Sequence, residues 1–407
     1  MLRSPYDSFE TAAGSGGEFF DSTVKTILNK GIYIMGKRIQ AEHGVIYSRG
    51  NDTLFGYFGW PSVSRISEHG LLAAASGFRT GHIDPFGKSV CFTSGDDGRI
   101  WSAPLIVNDS PVDDRDTGLT ALGNGRALMT WFASDIRASF ADTSKIGRVT
   151  RRFRMDFAPV FSTWDEETVA KHVGFFTRIR EASGEWGSCR YAPVSAPHGA
   201  IKLKNGSLLY LGNVSRRAAE EAAGAFKPGE IAAAVSDDEG ASWRLVGKVP
   251  CAPSDRAGLC YDWDGQFCEA HVVELPSGEL LGAIRYDVDF SMFLTRSADG
   301  GATWSTPQFL APGAPPSLML HSSGTLVLSY SWRKEKDFGQ RIRFSTDGGR
   351  NWSDEWVLRD DGPDYDLGYP SSVELADGSI YTVYYQKTEP GALNCSLLSS
   401  HWSLSNL

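Results

Sequence analysis

SGDDGRIW (Ser94–Trp101), SDDEGASW (Ser236–Trp243), SADGGATW (Ser297–Trp304) and STDGGRNW (Ser345–Trp352) are four copies of one pattern, Ser-x-Asp-x-Gly-x-x-Trp. The pattern suits a tight hairpin turn. Its Asp side chain can accept N–H bonds from its own turn, its Gly supplies a positive φ, and its Trp can pack into a sheet. No further acidic ligands follow at EF-hand spacing, so this Asp-box reads as a folding motif rather than a calcium loop.

A second repeat interleaves with the first. A turn glycine precedes an apolar strand six times: Gly70 before LLAAA, Gly125 before RALMTW, Gly206 before SLLYLG, Gly278 before ELLGAI, Gly324 before TLVLSY and Gly378 before SIYTVY. Four of these units run on into an Asp-box. The Gly125 unit keeps only a degenerate relic, REASGEW (Arg180–Trp186), and the last unit has none. Six meanders of short antiparallel strands predict a closed radial array. The expected fold is all-β, a six-bladed β-propeller of four-stranded antiparallel blades. A strand near Gly44–Ser48 is expected to close the last blade.

Composition sets the outer bounds. The chain has 407 residues, 41% hydrophobic and 22% charged, with a formal charge of -9. That is enough for a large core, and one domain spanning 1–407 is expected. The absence of a basic run or tail argues against nucleic acid as a partner. No apolar run approaches the ~18 residues of a membrane span. The N-terminus lacks a basic-then-apolar layout, which predicts a cytoplasmic protein, or a periplasmic or secreted one if a signal peptide has been removed. Six cysteines form no CxxC and no zinc-like spacing, so neither metal nor cofactor is expected.

Two stretches break the strand period. Thr163-Trp-Asp-Glu166 reads as a capping box that opens a helix over about 163–174. Ser215 similarly caps an Ala/Glu-rich run over about 215–226. Gly81-HIDPF-Gly87-Lys88-Ser89 is not a P-loop, because five residues separate its glycines where four are required and no βαβ pattern surrounds it.

Asp-boxes within a six-unit array resemble the sialidase (neuraminidase) superfamily, over nearly the whole chain from about residue 44. CEAHVVELPSGELLGAIR looks like the family's stretch in which a Glu is followed sixteen residues later by an Arg of its arginine triad, here Glu269 and Arg285. LGYPSSVELADGSIYTVYY looks like its Tyr segment, which implies a nucleophile at Tyr369. GFRTGHIDPFG is similar to its Gly-Arg-x-x-Gly-x-Asp segment, which implies an acid/base at Asp84 and brings Arg79 to the substrate; His82, outside the family pattern, suits a hydrogen bond to a sugar hydroxyl. The resemblance departs at two arginines. Trp60 holds the slot of the first. The third is ambiguous among Arg333, Arg341 and Arg343, and Arg341 is chosen because it opens the strand QRIRFS.

The chemistry of such a site is coherent. A sugar with a carboxylate on its anomeric carbon repels an anionic nucleophile. A phenol deprotonated only as it attacks avoids that repulsion, with a neighbouring Glu as its base. Glu269, Tyr369 and Asp116 each lie nine residues before a turn glycine, and His198 lies one off that register. Equivalent strands should therefore present them on one rim. Asp116, His198 and His271 suit hydrogen bonds to sugar hydroxyls.

The resemblance implies a retaining exo-glycosidase cleaving a terminal acidic sugar, an α-sialoside first of all, with a glycan or small sugar as its partner. A related propeller glycosidase for another sugar, or a glycan-binding propeller without turnover, are the alternatives. Oligomeric state is not legible.

Overall fold

Each turn glycine joins an inner strand to the second strand of a blade, and the six blades close into a ring. The computed structural model describes residues 37–51, 53–141, 156–250, 267–334 and 336–407. Blade 1 holds Tyr57–Arg65, Leu71–Arg79, Lys88–Ser94 and Leu105–Asn108, and blade 2 holds Asp113–Gly123, Arg126–Ser134, Gly174–Arg180 and Arg190–Tyr191. In blade 3 the inner strand is interrupted, Val194–Ser195 and Ile201–Lys202 both pairing with Leu208–Val214, followed by Ile231–Ser236 and Arg244–Lys248. Blade 4 is Phe267–Glu274, Leu280–Tyr286, Ser291–Ser297 and Gln308–Pro312, and blade 5 is Ser317–Leu320, Leu326–Trp332, Gly339–Ser345 and Trp356–Arg359.

Blade 6 completes the ring with chain from both ends. Gly368–Glu374, Ile380–Gln386 and Ser396–Trp402 are joined by Ala41–Tyr47, which pairs antiparallel with Ser396–Trp402. The closing strand foreseen near Gly44–Ser48 thus lies a few residues earlier. Lys37–Arg38, just before it, adds in parallel to Trp356–Arg359 of blade 5.

The second strands read as continuous apolar runs because both their faces are buried. Side chains alternate between two interfaces, as a period of two requires. Leu71, Ala73 and Ala75 pack toward blade 6, while Leu72 and Ala74 pack toward blade 2. Leu208 and Tyr210 face blade 2, and Leu209 and Leu211 face blade 4. Among the described residues six hydrophobic clusters fill the gaps between blades, one in each, and a seventh packs the first insertion onto blade 2 through Val112, Ala133, Ile136 and Trp164.

The Asp-boxes rivet those gaps. In each, the Asp accepts from the N–H four residues on, as Thr303 N donates to Asp299 Oδ1 at 2.9 Å. The Ser hydroxyl donates to the Asp and accepts from the Gly N–H, as in Ser297 with Asp299 and Gly301. The box glycines have φ of 86°, 88°, 91° and 78°, and each backs onto the preceding blade: Gly98 on Tyr381, Gly240 on Leu128, Gly301 on Leu209 and Ala233, Gly349 on Leu281.

Helix makes up only 7% of the structure. The first insertion begins with an unforeseen Arg137–Ala141 and Ala158–Phe161 before Glu166–His172. Its cap differs from expectation. Asp165, not Thr163, accepts from Thr168 N at 2.8 Å, and the Thr163 hydroxyl donates to Val160 O instead. The second insertion is Arg216–Glu221, capped by Ser215 as expected but ending about a turn early. Both insertions join second to third strands, on the face where the inner strands begin. The Asp-boxes, joining third to fourth strands, lie on the opposite face.

Candidate active site

Four inner strands begin with the same kink. Trp60, Asp116, Glu269 and Tyr369 have φ of 54°, 47°, 53° and 53°. A break in register spans each, at Gly59/Ser62, Arg115/Gly118, Cys268/His271 and Gly368/Ser371. A bulge with a left-handed residue takes one side chain out of the alternation and re-aims it. Each such non-glycine residue stores of order 1–3 kcal/mol. Four strained residues at one level of the ring mark the channel mouth as the place where the fold gives up stability for geometry.

Tyr369 of blade 6 and Glu269 of blade 4 meet there. The Tyr369 hydroxyl donates to Glu269 Oε1 in a short hydrogen bond, and Arg285 Nη1 donates to Glu269 Oε2 at 2.7 Å. Arg285 in turn pairs with Asp287. Tyr369 is 3% exposed, and Glu269 and Arg285 are fully buried. Burial first, then the carboxylates of Glu269 and Asp116, push the Tyr369 phenol well above its ordinary pKa. It is therefore a neutral phenol at rest, with an acceptor already on its proton. Burial opposes the Arg285 charge most strongly, but Glu269, Cys268 and Asp287 together outweigh it and keep the guanidinium ionised. Arg333 lies over the Tyr369 ring at 5.2 Å.

Asp116 of blade 2 is the third member of this alternating set. It is 2% exposed, and its Oδ1 is buried with no hydrogen-bond partner among the described residues. Burial, followed by Arg115 pulling the other way and Glu269 adding to the rise, brings its carboxyl up to about 7. His198, in the interruption of blade 3, packs edge-on to His271 at 5.3 Å and lies 6.5 Å from Tyr369. Both nitrogens of His198 are buried with no hydrogen-bond partner among the described residues. His271 Nδ1 accepts from Leu318 N at 2.9 Å, which leaves Nε2 to carry the proton. Burial takes His271 down to about 4 and His198 well below the ordinary imidazole range, so both are neutral.

Trp60 fills the first-arginine position. It is buried between two cations, Arg79 at 4.9 Å and Arg115 at 4.6 Å, and meets Tyr369 edge-on at 6.4 Å.

Three expectations meet a different arrangement. Asp84 is fully buried, but Thr80 N (2.7 Å) and the Thr80 hydroxyl bond to its Oδ2 and Phe86 N (2.6 Å) to its Oδ1. It staples its own loop, and no contact joins it to Tyr369 or Glu269. Arg79 is locked by a bidentate pair with Asp113 (2.6 and 3.0 Å) and donates to the carbonyls of Gly81 and His82, so it supports Trp60 and this loop. Arg341 turns away from the channel to Glu355 and the carbonyls of Gln340, Arg359 and Asp337. Of the three candidates for the third arginine, Arg333 is the one at Tyr369.

His82 does reach the rim. It packs on Trp60 at 4.9 Å and its Nδ1 lies 3.1 Å from both the Tyr57 hydroxyl and Asp366 Oδ1. Arg115 belongs to the run Asp113-Asp114-Arg115-Asp116, which suits hydrogen bonds to sugar hydroxyls from sequence alone. Sequence reasoning missed Tyr57 and Asp366, which carried no signal. Among the described residues no cluster of three or more His, Cys, Asp or Glu side chains could hold a metal ion.

Comparison with known proteins agrees with this architecture. Residues 183–382 match the BNR repeat-like domain family. No curated protein matches the sequence. Among solved structures, a Dyadobacter fermentans protein of unknown function superposes with a TM-score of 0.68 at 20% identity, covering 90% of this chain and 99% of its own. The NanB sialidase of Streptococcus pneumoniae gives 0.61 at 13% identity, with 91% and 71% covered. An α-L-arabinanase of Penicillium chrysogenum complexed with arabinobiose gives 0.56 at 14%, with 90% and 99% covered. The BNR repeat-like match and these neighbours agree with the six-bladed, Asp-box propeller fold described above.

Proposed function

We propose that the protein is a retaining exo-glycosidase acting on a terminal acidic sugar, an α-sialoside in the first instance. One observation carries the reading: a neutral buried phenol, Tyr369, already bonded to a carboxylate, Glu269, that is itself oriented by Arg285. As Tyr369 Oη attacks the anomeric carbon, its proton passes to Glu269 Oε1. Arg285 keeps Glu269 aimed at the phenol as the proton moves. A glycosyl–Tyr369 intermediate then hydrolyses with a second inversion, and the configuration is retained. The buried polar atoms of Asp116, His198 and Arg333 that have no hydrogen-bond partner among the described residues suit a ligand rich in hydroxyls and carrying a negative charge.

A second reading has its own support. Trp60 in the first-arginine position leaves an incomplete clamp for a carboxylate, which favours a glycosidase for another sugar. A panel of fluorogenic glycosides decides between them. Sialoside turnover is expected. Turnover of a different sugar alone would give the second reading, and binding without turnover of any would remove both.

Tyr369→Phe tests the nucleophile. Turnover is expected to fall by at least about 10²–10⁴-fold, while Glu269 keeps its bond to Arg285 and the ring still packs. Glu269→Gln should lose activity in the same direction, and the double variant should be little worse than either single one. Near-normal turnover of Tyr369→Phe per folded molecule would end the assignment.

A further inference from the structure

We propose that Asp116 is the general acid/base of this reaction, an inference that rests on the Tyr369–Glu269 reading above. Blades 2, 4 and 6 present Asp116, Glu269 and Tyr369 at equivalent left-handed positions of their bulged inner strands. Two of these three are the base and the nucleophile. The leaving oxygen needs a proton from a third group around the same opening.

The other nearby carboxylates are committed to structure. Asp84 accepts three hydrogen bonds within its loop. Asp113 is paired with Arg79. Asp114 accepts from Ser110, Asn108 and the Trp131 indole. Asp116 alone among them has a buried oxygen with no partner. An orphaned buried acceptor has an unmet hydrogen-bonding capacity, and a reacting oxygen or its water meets it.

Its environment suits the role. The groups acting on Asp116 are Arg115, Glu269, Arg79 and Asp113, with the phenols of Tyr369, Tyr385 and Tyr210 also within its reach. Burial among them holds the carboxyl near 7, so a large fraction is protonated at neutral pH and both forms are accessible. In the first step the bond from the anomeric carbon to the leaving oxygen breaks as the bond to Tyr369 Oη forms. The Asp116 proton goes to the leaving oxygen and the Tyr369 proton to Glu269. In the second step the Asp116 carboxylate takes a proton from water as that water attacks the anomeric carbon, and Glu269 returns its proton to Tyr369.

The test uses the full chain and the fluorogenic glycoside that the wild type turns over, beside a glycoside of the same sugar with a sugar leaving group. Asp116→Asn is expected to release one burst of 4-methylumbelliferone and then turn over slowly. Azide should accelerate that slow phase and yield the glycosyl azide of retained configuration. Turnover of the sugar-leaving-group substrate should fall about 10²–10⁴-fold. In the wild type, kcat/KM should decline as pH rises through about 7, since the acid must be protonated. That limb should vanish in Asp116→Asn.

Asp84→Asn is expected to lower the melting temperature while keeping the wild-type leaving-group dependence. Equal loss on both substrates in Asp116→Asn, with raised KM and no azide effect, would mean a sugar-hydroxyl ligand only and overturn the inference. So would the burst-and-azide signature appearing in Asp84→Asn. Both outcomes leave Tyr369 and Glu269 in place. If Asp116→Asn fails to fold, the wild-type pH limb decides, and its absence overturns the inference. Failure of the parent reading looks different: no turnover of any glycoside by the wild type, or full turnover by Tyr369→Phe.

Discussion

Arg333 and Arg341 show how little a residue's type says about its role. Both are arginines of blade 5 beside the channel in sequence, yet Arg341 spends its guanidinium on three carbonyls and Glu355, while Arg333 faces the Tyr369 ring. Arg341→Ala should therefore cost stability, about 1–3 kcal/mol from acceptors left unpaired, with turnover per folded molecule unchanged. Arg333→Ala should do the reverse. Its guanidinium over the ring favours the negative charge that Tyr369 develops as it attacks, so kcat/KM should fall by roughly tenfold with little change in melting temperature. Measuring melting and turnover on the same samples separates the two, and a swapped pattern would restore Arg341 to the site.

At the scale of elements, the inner strand of blade 2 and the interruption of blade 3 leave no room between them. A Cβ on Gly118 would sit 2.3 Å from Gly199 N and 2.4 Å from Gly199 Cα, where only backbone could yield. Gly118→Ala is expected to destabilise by about 1–3 kcal/mol or more, read by chemical denaturation. Because Asp116 and His198 flank the contact, activity per folded molecule should drop as well. The Asp-boxes predict an acid limit to stability. Hydrogen bonds from Thr303 bring Asp299 down to about 2, and those from Asn351 bring Asp347 lower still. A depressed carboxylate stabilises the fold above its unfolded pKa of about 4 and loses that contribution as pH falls toward 2. The melting temperature of Asp299→Asn should accordingly vary less with pH across that window than the wild type's. An equal slope in the two would separate the box from acid stability.

For the whole molecule, the ring is closed by a strand that comes from the other end of the chain. Ala41–Tyr47 covers the edge of Ser396–Trp402, and Ile39 beside it joins the cluster between blades 5 and 6. A chain begun at residue 48 would expose that edge and part of that cluster. Its melting temperature is expected to fall by more than about 10 °C, with a broadened transition and a tendency to associate, measured by calorimetry and light scattering. An unchanged sharp transition would show that six blades hold together without the added strand.

The blade count, the turns and the rim register were legible in the sequence because each is written locally. A Ser-x-Asp-x-Gly-x-x-Trp turn makes its hydrogen bonds within itself, and an apolar run after a glycine turn records a strand buried on both faces. Counting nine residues back from the glycines located Asp116, Glu269 and Tyr369, since strands of equal length start at equal height. Trp60, ten back, shares their conformation because Gly70 sits one place later in its turn, directly before Leu71, while Gly278 and Gly378 are each followed by one further turn residue. What the chain alone left open depends on distant partners. Whether Asp116 keeps an oxygen without a partner is decided by which groups surround it after the ring closes. Tyr369 meets Glu269 across a hundred residues of sequence, and Arg341 turns outward because its neighbouring strand offers carbonyls there. Local hydrogen bonding sets turns and strands before any long-range contact exists, but the burial that raises a carboxyl or orphans an oxygen exists only in the assembled ring.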